Sequence, residues 1–284
     1  TMRDGDFRTP LGRIPNSSSH SYGGNTSLGY FADKGFFVGS FGLDRRRYGV
    51  PYAPLFEEGA LLTTPDGDPC KFKREGEDEC QYDIFGIRAR FANELPEVPD
   101  EQIDLRMKRN NYRLRGGFRN VKGPIMQGNF SIDRTNYRHE EIETADGVDE
   151  TATNFFNDTV SYRASFKQAN YKFLSGQFGF EGFNRSYLTE GAEQLVNGRV
   201  RQTNFAAFGL QELSNDRVSV QFGGRIEHNK YKPINTAEYN ERSFTGFSGA
   251  AAGRFRLWEG GAFIANFTSA YRAPALEELY NNGA

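Results

Sequence analysis

The stretch "DRVSVQFGGRIEH", residues 216–228, alternates between two kinds of side chain. The first set is apolar apart from one glycine: Val218, Val220, Phe222, Gly224 and Ile226. The second set is polar or charged: Arg217, Ser219, Gln221, Arg225 and Glu227. Successive side chains of a β-strand point to opposite sides of the sheet. This period of two therefore predicts a strand with one apolar face and one polar face.

The same pattern recurs along the chain. The stretch "TVSYRASFKQ", residues 159–168, alternates as regularly, and "NYKFLSGQFGFEGF" and "GAFIANFTSAYR" are less regular versions. The sequence predicts about ten strands, over residues 24–32, 35–44, 102–118, 125–138, 155–168, 172–185, 201–213, 217–229, 242–256 and 261–272.

The connections between these strands alternate in length. The short connections cover residues 32–35, 119–124, 168–171, 214–216 and 257–261. The long connections cover residues 45–101, 139–154, 186–200 and 230–241. An antiparallel meander gives this order when its turns are short at one end of the strands and its loops are long at the other. This arrangement is typical of outer-membrane barrels. The predicted fold class is all-β, an antiparallel transmembrane β-barrel; a soluble β-sandwich or β-helix is the alternative.

The composition of the chain agrees with a barrel. The 284 residues include 32 Gly, 26 Phe and 14 Tyr, and no run approaches the 18 apolar residues of a transmembrane helix. A membrane-spanning strand needs only about 9–11 residues, of which every second one is apolar. With a formal net charge of −2 and no basic domain, the sequence does not favour nucleic-acid binding.

Three further stretches resemble TonB-dependent outer-membrane receptors. Residues 9–52 contain "GRIPNS", the turn "DKGFF" and "YGVP"; residues 103–118 read "IDLRMKRNNYRLRGGF"; and residues 269–280 read "SAYRAPALEELY". In these receptors a strand climbs to the outer rim and turns over at the last motif. The resemblance implies a 22-stranded barrel, of which residues 1–284 are a part, in the outer membrane of a Gram-negative bacterium.

The resemblance also implies a mechanism and partners. These receptors import a scarce nutrient, such as a ferric siderophore, haem or another metal complex. An N-terminal plug, not present in this chain, links them to the TonB–ExbB–ExbD complex. A passive porin and a non-transporting surface barrel, such as an adhesin or phage receptor, are the alternatives. No arrangement of residues indicates an enzyme, a cofactor or a structural metal centre, so none is expected.

Two groups of residues are candidates for ligand binding in the outer connections. In "DRRRYG" the run Arg45, Arg46, Arg47 and Tyr48 is a candidate for gripping an anionic ligand, with charge at the rim as the plain alternative. In "HEEIE" the residues His139, Glu140 and Glu141 are candidates for a divalent cation, with a solvated strand end as the alternative.

The polar faces of the predicted strands are expected to line the lumen or to contact the plug. The residues concerned are Arg163, Lys167, Gln177, Glu181, Arg217, Gln221 and Arg225. This assignment rests on the alternation of polar and apolar side chains.

The two cysteines of the chain, Cys70 and Cys80, fall in the longest outer connection. Outer connections form after export through the oxidising periplasm, where disulfides persist. We therefore expect a Cys70–Cys80 disulfide. A metal or redox site and a free or intermolecular thiol are the alternatives. The connection is also acidic, with thirteen acids and five bases over residues 57–101. This charge indicates either plain solubility or a rim that attracts cations.

Overall fold

The structure is a computed structural model of the chain. It describes residues 2–3, 5–9, 12–14, 16–51, 102–145, 147–191, 194, 196–235 and 238–281. Cys70, Cys80 and the acidic segment 57–101 lie outside the described residues, so the predicted disulfide stays a prediction.

The described residues are almost entirely β-strand. Three two-residue strands come first: β1 (Met2–Arg3), β2 (Arg8–Thr9) and β3 (Gly12–Arg13). Ten longer strands follow: β4 (Ser19–Ala32), β5 (Gly35–Gly49), β6 (Gln102–Phe118), β7 (Ile125–Ala145), β8 (Val148–Gln168), β9 (Leu174–Gly191), β10 (Arg199–Ser214), β11 (Val218–Ile234), β12 (Arg242–Trp258) and β13 (Gly261–Ser269). A five-residue helix, α1 (Leu276–Tyr280), ends the described chain.

The chain divides into two compact units. The larger unit comprises residues 23–45, 107–140 and 152–284. It contains all or part of each strand from β4 to β13, and these strands are hydrogen-bonded in chain order. Each pairing from β8 to β13 is antiparallel. The larger unit is therefore an antiparallel meander of ten strands, as predicted.

The smaller unit comprises residues 1–22, 46–106 and 141–151. Within it, β1 pairs with the start of β4, and β2 pairs with β3. The side chain of Asn16 donates hydrogen bonds to the carbonyl oxygens of Val50 and Ile103, at 3.1 and 2.8 Å. A single amide therefore fixes two extended segments of this unit.

The short connections lie where the sequence predicts them, but several strands run further toward the long connections. Strand β7 ends at Ala145 and β8 begins at Val148, so most of the predicted connection 139–154 is strand. The predicted connection 45–101 likewise begins inside β5, which ends at Gly49. Alternation marks a strand only where one of its two faces is apolar. Where both faces are polar, the pattern fades although the strand continues.

The end of the meander also differs from the prediction. Strand β13 ends at Ser269, whereas the sequence predicts a strand to residue 272. The following residues run through Pro274 into α1. Proline lacks the N–H that a strand ladder requires, so Pro274 does not extend the ladder, although β13 already ends five residues earlier. Among the described residues, no helix is long and apolar enough to cross a bilayer.

The strands of the larger unit have two different faces. One face, here called the apolar face, exposes large hydrophobic side chains; Phe222 is 47% exposed, Ile226 54% and Phe247 68%. Ile226 lies directly opposite Phe247 in the register, so the exposed side chains continue from strand to strand. The other face, here called the polar face, carries the charged and amide side chains that form the candidate site.

Candidate functional site

A chain of ion pairs crosses the polar face from β8 to β11. Arg163 lies opposite Glu181 in the register, and its Nη1 donates to Oε2 of that carboxylate at 2.7 Å. Arg225 donates from Nη1 to Oε1 of Glu181 at 2.5 Å. Its Nε and Nη2 both donate to Oε2 of Glu227, at 3.1 and 2.7 Å. Two arginines and two glutamates thus neutralise one another in a continuous network.

A small residue on β10 leaves space for the side chains of the ion-pair network. Ala206 lies opposite Glu181 on one side and opposite Glu227 on the other, and it is fully buried. A methyl group at this position allows the long side chain of Arg225 to reach across β10 to the carboxylate of Glu181. The strand register therefore brings together residues that are 44 positions apart in the sequence.

Two cross-strand pairs continue the polar face beyond the network. Gln202 lies opposite Tyr231, and Asn204 lies opposite Asn229. All four side chains are less than a tenth exposed, and we call them the polar floor. The amide of Asn204 donates to Oδ1 of Asn229 at 3.0 Å, and the amide of Asn229 donates to Oε1 of Glu227 at 2.6 Å. The polar floor is thus tied to the ion-pair network.

Residues 270–281, here called the strap, run over the polar floor. The hydroxyl of Tyr231 donates to the carbonyl oxygen of Pro274 at 2.6 Å. Arg185 pairs with Glu277 at 3.0 Å, and the hydroxyl of Tyr280 donates to the carbonyl oxygen of Asn240 at 3.0 Å. These contacts involve β9, β11 and the β11–β12 connection, so the strap is held at several points.

The strap also supplies a small apolar core. Leu276 and Tyr280 are 1% and 2% exposed and pack with residues near the long-connection ends of β9, β10 and β11. The other buried members are Tyr187, Val196, Val200 and Tyr231. Burying one side chain such as leucine contributes about 1.5–3 kcal/mol, so this core stabilises the docked strap. Burial also raises the pKa of the Tyr280 hydroxyl, because it disfavours the phenolate.

A hydrogen bond at the start of α1 has an electrostatic consequence. Glu278 accepts from Arg272 at 2.8 Å and from the backbone N–H of Ala275 at 2.7 Å. The Arg272 guanidinium and this N–H hold the pKa of the Glu278 carboxyl below its usual value, because both stabilise the charged form. The carboxylate of Glu278 therefore caps the first turn of the short helix by accepting from the N–H of Ala275.

A cleft of about 610 Å³ remains between the strap and the polar face. The ion-pair network and the polar floor line one side, and Tyr271, Arg272, Ala273, Pro274 and Ala275 line the other. Its size falls in the range of about 300–1,000 Å³ that is usual for small-molecule sites.

The structure brings together three of the seven residues predicted for the lumen: Arg163, Glu181 and Arg225. Lys167 lies opposite Gln177 further along the same face. The amide of Gln221 donates to Glu212 at 3.1 Å, and Arg217 stands one residue before β11. Which face of these strands lines a lumen stays a prediction.

The predicted arginine run lies in strand β5 and not in a connection. Because side chains alternate along a strand, Arg46 lies on the opposite face from Arg45 and Arg47. The three arginines therefore do not form a single cluster. Arg45 donates to Oδ1 of Asn110 at 2.7 Å, in the larger unit. In the smaller unit, Arg47 pairs with Asp104 at 2.6 Å, and Tyr48 is 37% exposed.

The predicted cation residues also lie in a strand, β7. Alternation places Glu140 on the opposite face from His139 and Glu141. Glu140 pairs with Lys108 at 3.4 Å, and the ring of His139 packs against Phe155 with centroids 5.3 Å apart. Within the part of the chain that the structure describes, no group of three His, Cys, Asp or Glu residues could hold a metal ion.

Sequence reasoning missed the polar floor and the covering position of the strap. Asn229 and Tyr231 follow Arg225 and Glu227 at every second position of β11, so extending that face would have included them, although His228 and Lys230 make the opposite face polar there as well. Gln202 and Asn204 give no such signal, because both faces of β10 are polar over residues 201–204. No local sequence pattern indicates that the strap covers the polar floor, because contacts between residues far apart in the sequence determine where the strap lies.

Comparisons with known proteins agree with this architecture. Residues 16–284 match the family model described as TonB dependent receptor-like, beta-barrel. A search of curated proteins gives no match. Among solved structures, the copper transporter OprC matches with a TM-score of 0.66 and 14% identity, over 98% of this chain and 42% of that chain.

Two structures of an iron transporter match similarly. The FrpB iron transporter from Neisseria meningitidis, F5-1 variant in its apoprotein form, has a TM-score of 0.62 and 12% identity, over 97% of this chain and 40% of that chain. Its F3-3 variant has a TM-score of 0.61 and 13% identity, over 98% and 41%. The chain therefore spans less than half the length of these structures, and at such identity the likeness shows the fold. By its match to the family model over almost all of its length, the chain belongs to the family of TonB-dependent receptor-like β-barrels.

Proposed function

We propose that this chain forms part of the barrel wall of an outer-membrane active transporter in a Gram-negative bacterium. The transporter imports a scarce nutrient such as a ferric siderophore, haem or another metal complex. The observation that carries the proposal is the family match over residues 16–284. Proteins similar in fold are named as copper and iron transporters, which supports metal uptake as the class of function.

The two faces of the sheet suit this role. The apolar face exposes aromatic and aliphatic side chains, as a surface that contacts outer-membrane lipid requires. The polar face carries the ion-pair network and the polar floor, as a surface that faces a lumen requires. On this proposal Arg163, Glu181 and Arg225 line the lumen or contact a plug, and so do Lys167, Gln177, Arg217 and Gln221.

The energy source belongs to the proposal as well. An N-terminal plug engages the TonB–ExbB–ExbD complex in the periplasm, and a pull on the plug opens a path along the polar face. The ligand first binds at the outer connections. Arg45, Arg46, Arg47 and Tyr48, with His139, Glu140 and Glu141, remain candidates near those connections. They lie in β5 and β7, and on this proposal those parts of the strands belong to the outer rim. The predicted Cys70–Cys80 disulfide would stiffen the longest connection.

The decisive experiment measures uptake in matched strains. The full-length protein is expressed in cells with and without TonB, and accumulation of radiolabelled ferric complexes, haem and copper is followed over time. Active transport predicts saturable uptake that disappears without TonB or with an uncoupler of the proton gradient. A passive porin predicts uptake that neither saturates nor depends on TonB. A non-transporting adhesin or phage receptor predicts no uptake in either strain.

A further inference from the structure

The cleft beneath the strap contains a buried acceptor without a donor. Gln202 is 7% exposed, and its Oε1 is buried without a hydrogen-bond partner in the described structure. Leaving a buried acceptor unpaired costs about 1–3 kcal/mol. The neighbouring donors are already engaged, since the amide of Asn204 bonds to Asn229 and the hydroxyl of Tyr231 bonds to Pro274. Gln202 therefore marks a position where a donor from outside the described structure is expected.

The charged side chains around the cleft are paired with one another or with neighbouring residues. Three arginines and three acids line it: Arg163, Arg225, Arg272, Asp133, Glu181 and Glu227. Each has a partner of opposite charge. Arg163 and Arg225 hold Glu181 and Glu227, Arg113 pairs with Asp133, and Arg272 pairs with Glu278. The lining therefore presents arginines and carboxylates that are already paired, so the cleft favours a neutral ligand.

The remaining lining suits hydroxyl groups in particular. Ser131 and Ser161 carry hydroxyl groups that can donate and accept, and Gln202 presents an acceptor; a ligand hydroxyl can likewise donate and accept at once. The rings of Phe183 and Tyr271 border the same space and offer apolar surface to the carbon skeleton of a ligand. Small-molecule sites commonly orient their ligand with a small number of fixed polar groups beside an aromatic surface.

We propose that this cleft is a binding site for a neutral, hydroxyl-rich molecule, one of whose hydroxyl groups donates to Oε1 of Gln202. The inference goes beyond the proposed function, since it gives the cleft a neutral, hydroxyl-rich compound in addition to the metal complex that the receptor imports. It assigns the recognition of that compound to the polar floor and the strap, and not to the arginine run of β5.

Equilibrium binding to the purified full-length receptor tests the proposal. The probes are maltotriose, lactose and cellobiose as neutral oligosaccharides, sialyllactose as an acidic one, and tetraglycine amide as a peptide. We expect a neutral oligosaccharide to bind best, and Gln202→Met to weaken its binding at least tenfold. Gln127→Met is the matched control, because Gln127 lies on β7 and does not line the cleft. Migration of unheated protein on denaturing gels verifies that each barrel is folded.

Three results would overturn the proposal. They are the absence of binding by every neutral oligosaccharide, a preference for sialyllactose or the peptide, and unchanged affinity in folded Gln202→Met. Preference for the peptide would show that the cleft receives another polypeptide segment. The binding assay needs neither TonB nor a membrane potential. Its outcome is therefore independent of the uptake experiment that decides the proposed function.

Discussion

Tyr231 holds the strap at two places. Its hydroxyl donates to the carbonyl oxygen of Pro274 at 2.6 Å, and its ring meets the ring of Tyr280 edge-on with centroids 6.5 Å apart. The side chain is 1% exposed, so both contacts are shielded from water. One residue of β11 therefore links the strap to the wall through a polar contact before α1 and an apolar contact at its end.

Replacing this tyrosine should loosen the strap in two steps. Tyr231→Phe removes only the hydrogen bond to Pro274, which is worth about 1 kcal/mol. We expect amide exchange over residues 270–281 to accelerate about fivefold, by the corresponding conversion. Tyr231→Ala also removes the ring from the apolar core, at a cost of about 3–5 kcal/mol, and should release the strap. Hydrogen exchange read by mass spectrometry on the full-length receptor checks this order; equal exchange in all three proteins would contradict it.

A glycine of β12 makes space for the strap. A Cβ built on Gly246 would overlap the ring of Tyr271. We therefore expect Gly246→Val to push Tyr271 away, at a cost of about 1–3 kcal/mol for overpacking. Protease cleavage within residues 270–281 should increase in the folded barrel, and this is the measurement.

The same strand provides the matched control. A Cβ on Gly253 would meet no atom within 4 Å, so Gly253→Val adds the same side chain without a clash. The strap should resist protease in this variant as it does in the wild type. Cleavage at equal rates in both variants would show that Gly246 does not position the strap.

The ten strands could be predicted from the sequence because one physical signal recurs in each of them. Alternation depends on an apolar face, and it located residues such as Phe222 and Arg225 on opposite faces. The end of β7 and the start of β8 could not be predicted in this way, because polar residues predominate on both of their faces there. The position of the strap depends on Leu276 joining an apolar core that also contains Val196 and Val200, about eighty residues earlier in the chain. No local pattern encodes such a contact.

The arginines of the ion-pair network should differ in importance. Arg225 makes three hydrogen bonds to two carboxylates and its side chain is 29% exposed, whereas Arg163 makes one and is 58% exposed. We expect Arg225→Met to destabilise the barrel by about 2–3 kcal/mol, since charged hydrogen bonds are lost and two glutamates remain. Arg163→Met should cost less than about 1 kcal/mol, as exposed pairs do. Urea unfolding in lipid vesicles measures both; a larger effect at Arg163 would refute the ranking.

Neighbouring residues of β11 can reveal which face meets lipid. Phe222 belongs to the apolar face and Gln221 to the polar face, one position apart. On the proposed function, Phe222→Arg should lower the stability of the barrel in vesicles by about 2–4 kcal/mol, the range for a basic residue at mid-bilayer. Gln221→Arg should be tolerated, because its side chain faces water. If Gln221→Arg destabilised the barrel more than Phe222→Arg, the polar face would be the one that contacts lipid, and the assignment of the lumen residues would be wrong.

Acid should release the start of α1. The pKa of Glu278 is lowered in the folded protein, chiefly by its hydrogen bond to Arg272 and further by the N–H of Ala275. A carboxyl whose folded pKa lies below its ordinary value of 4.5 stabilises the fold above that value. The contribution is lost as the pH falls through the folded pKa.

Amide exchange over residues 275–280, corrected for the intrinsic effect of pH, should therefore rise as the pH is lowered below about 4.5. In Glu278→Gln the helix should exchange faster at neutral pH and respond less to acid. If the variant and the wild type respond alike, the carboxylate does not hold the helix.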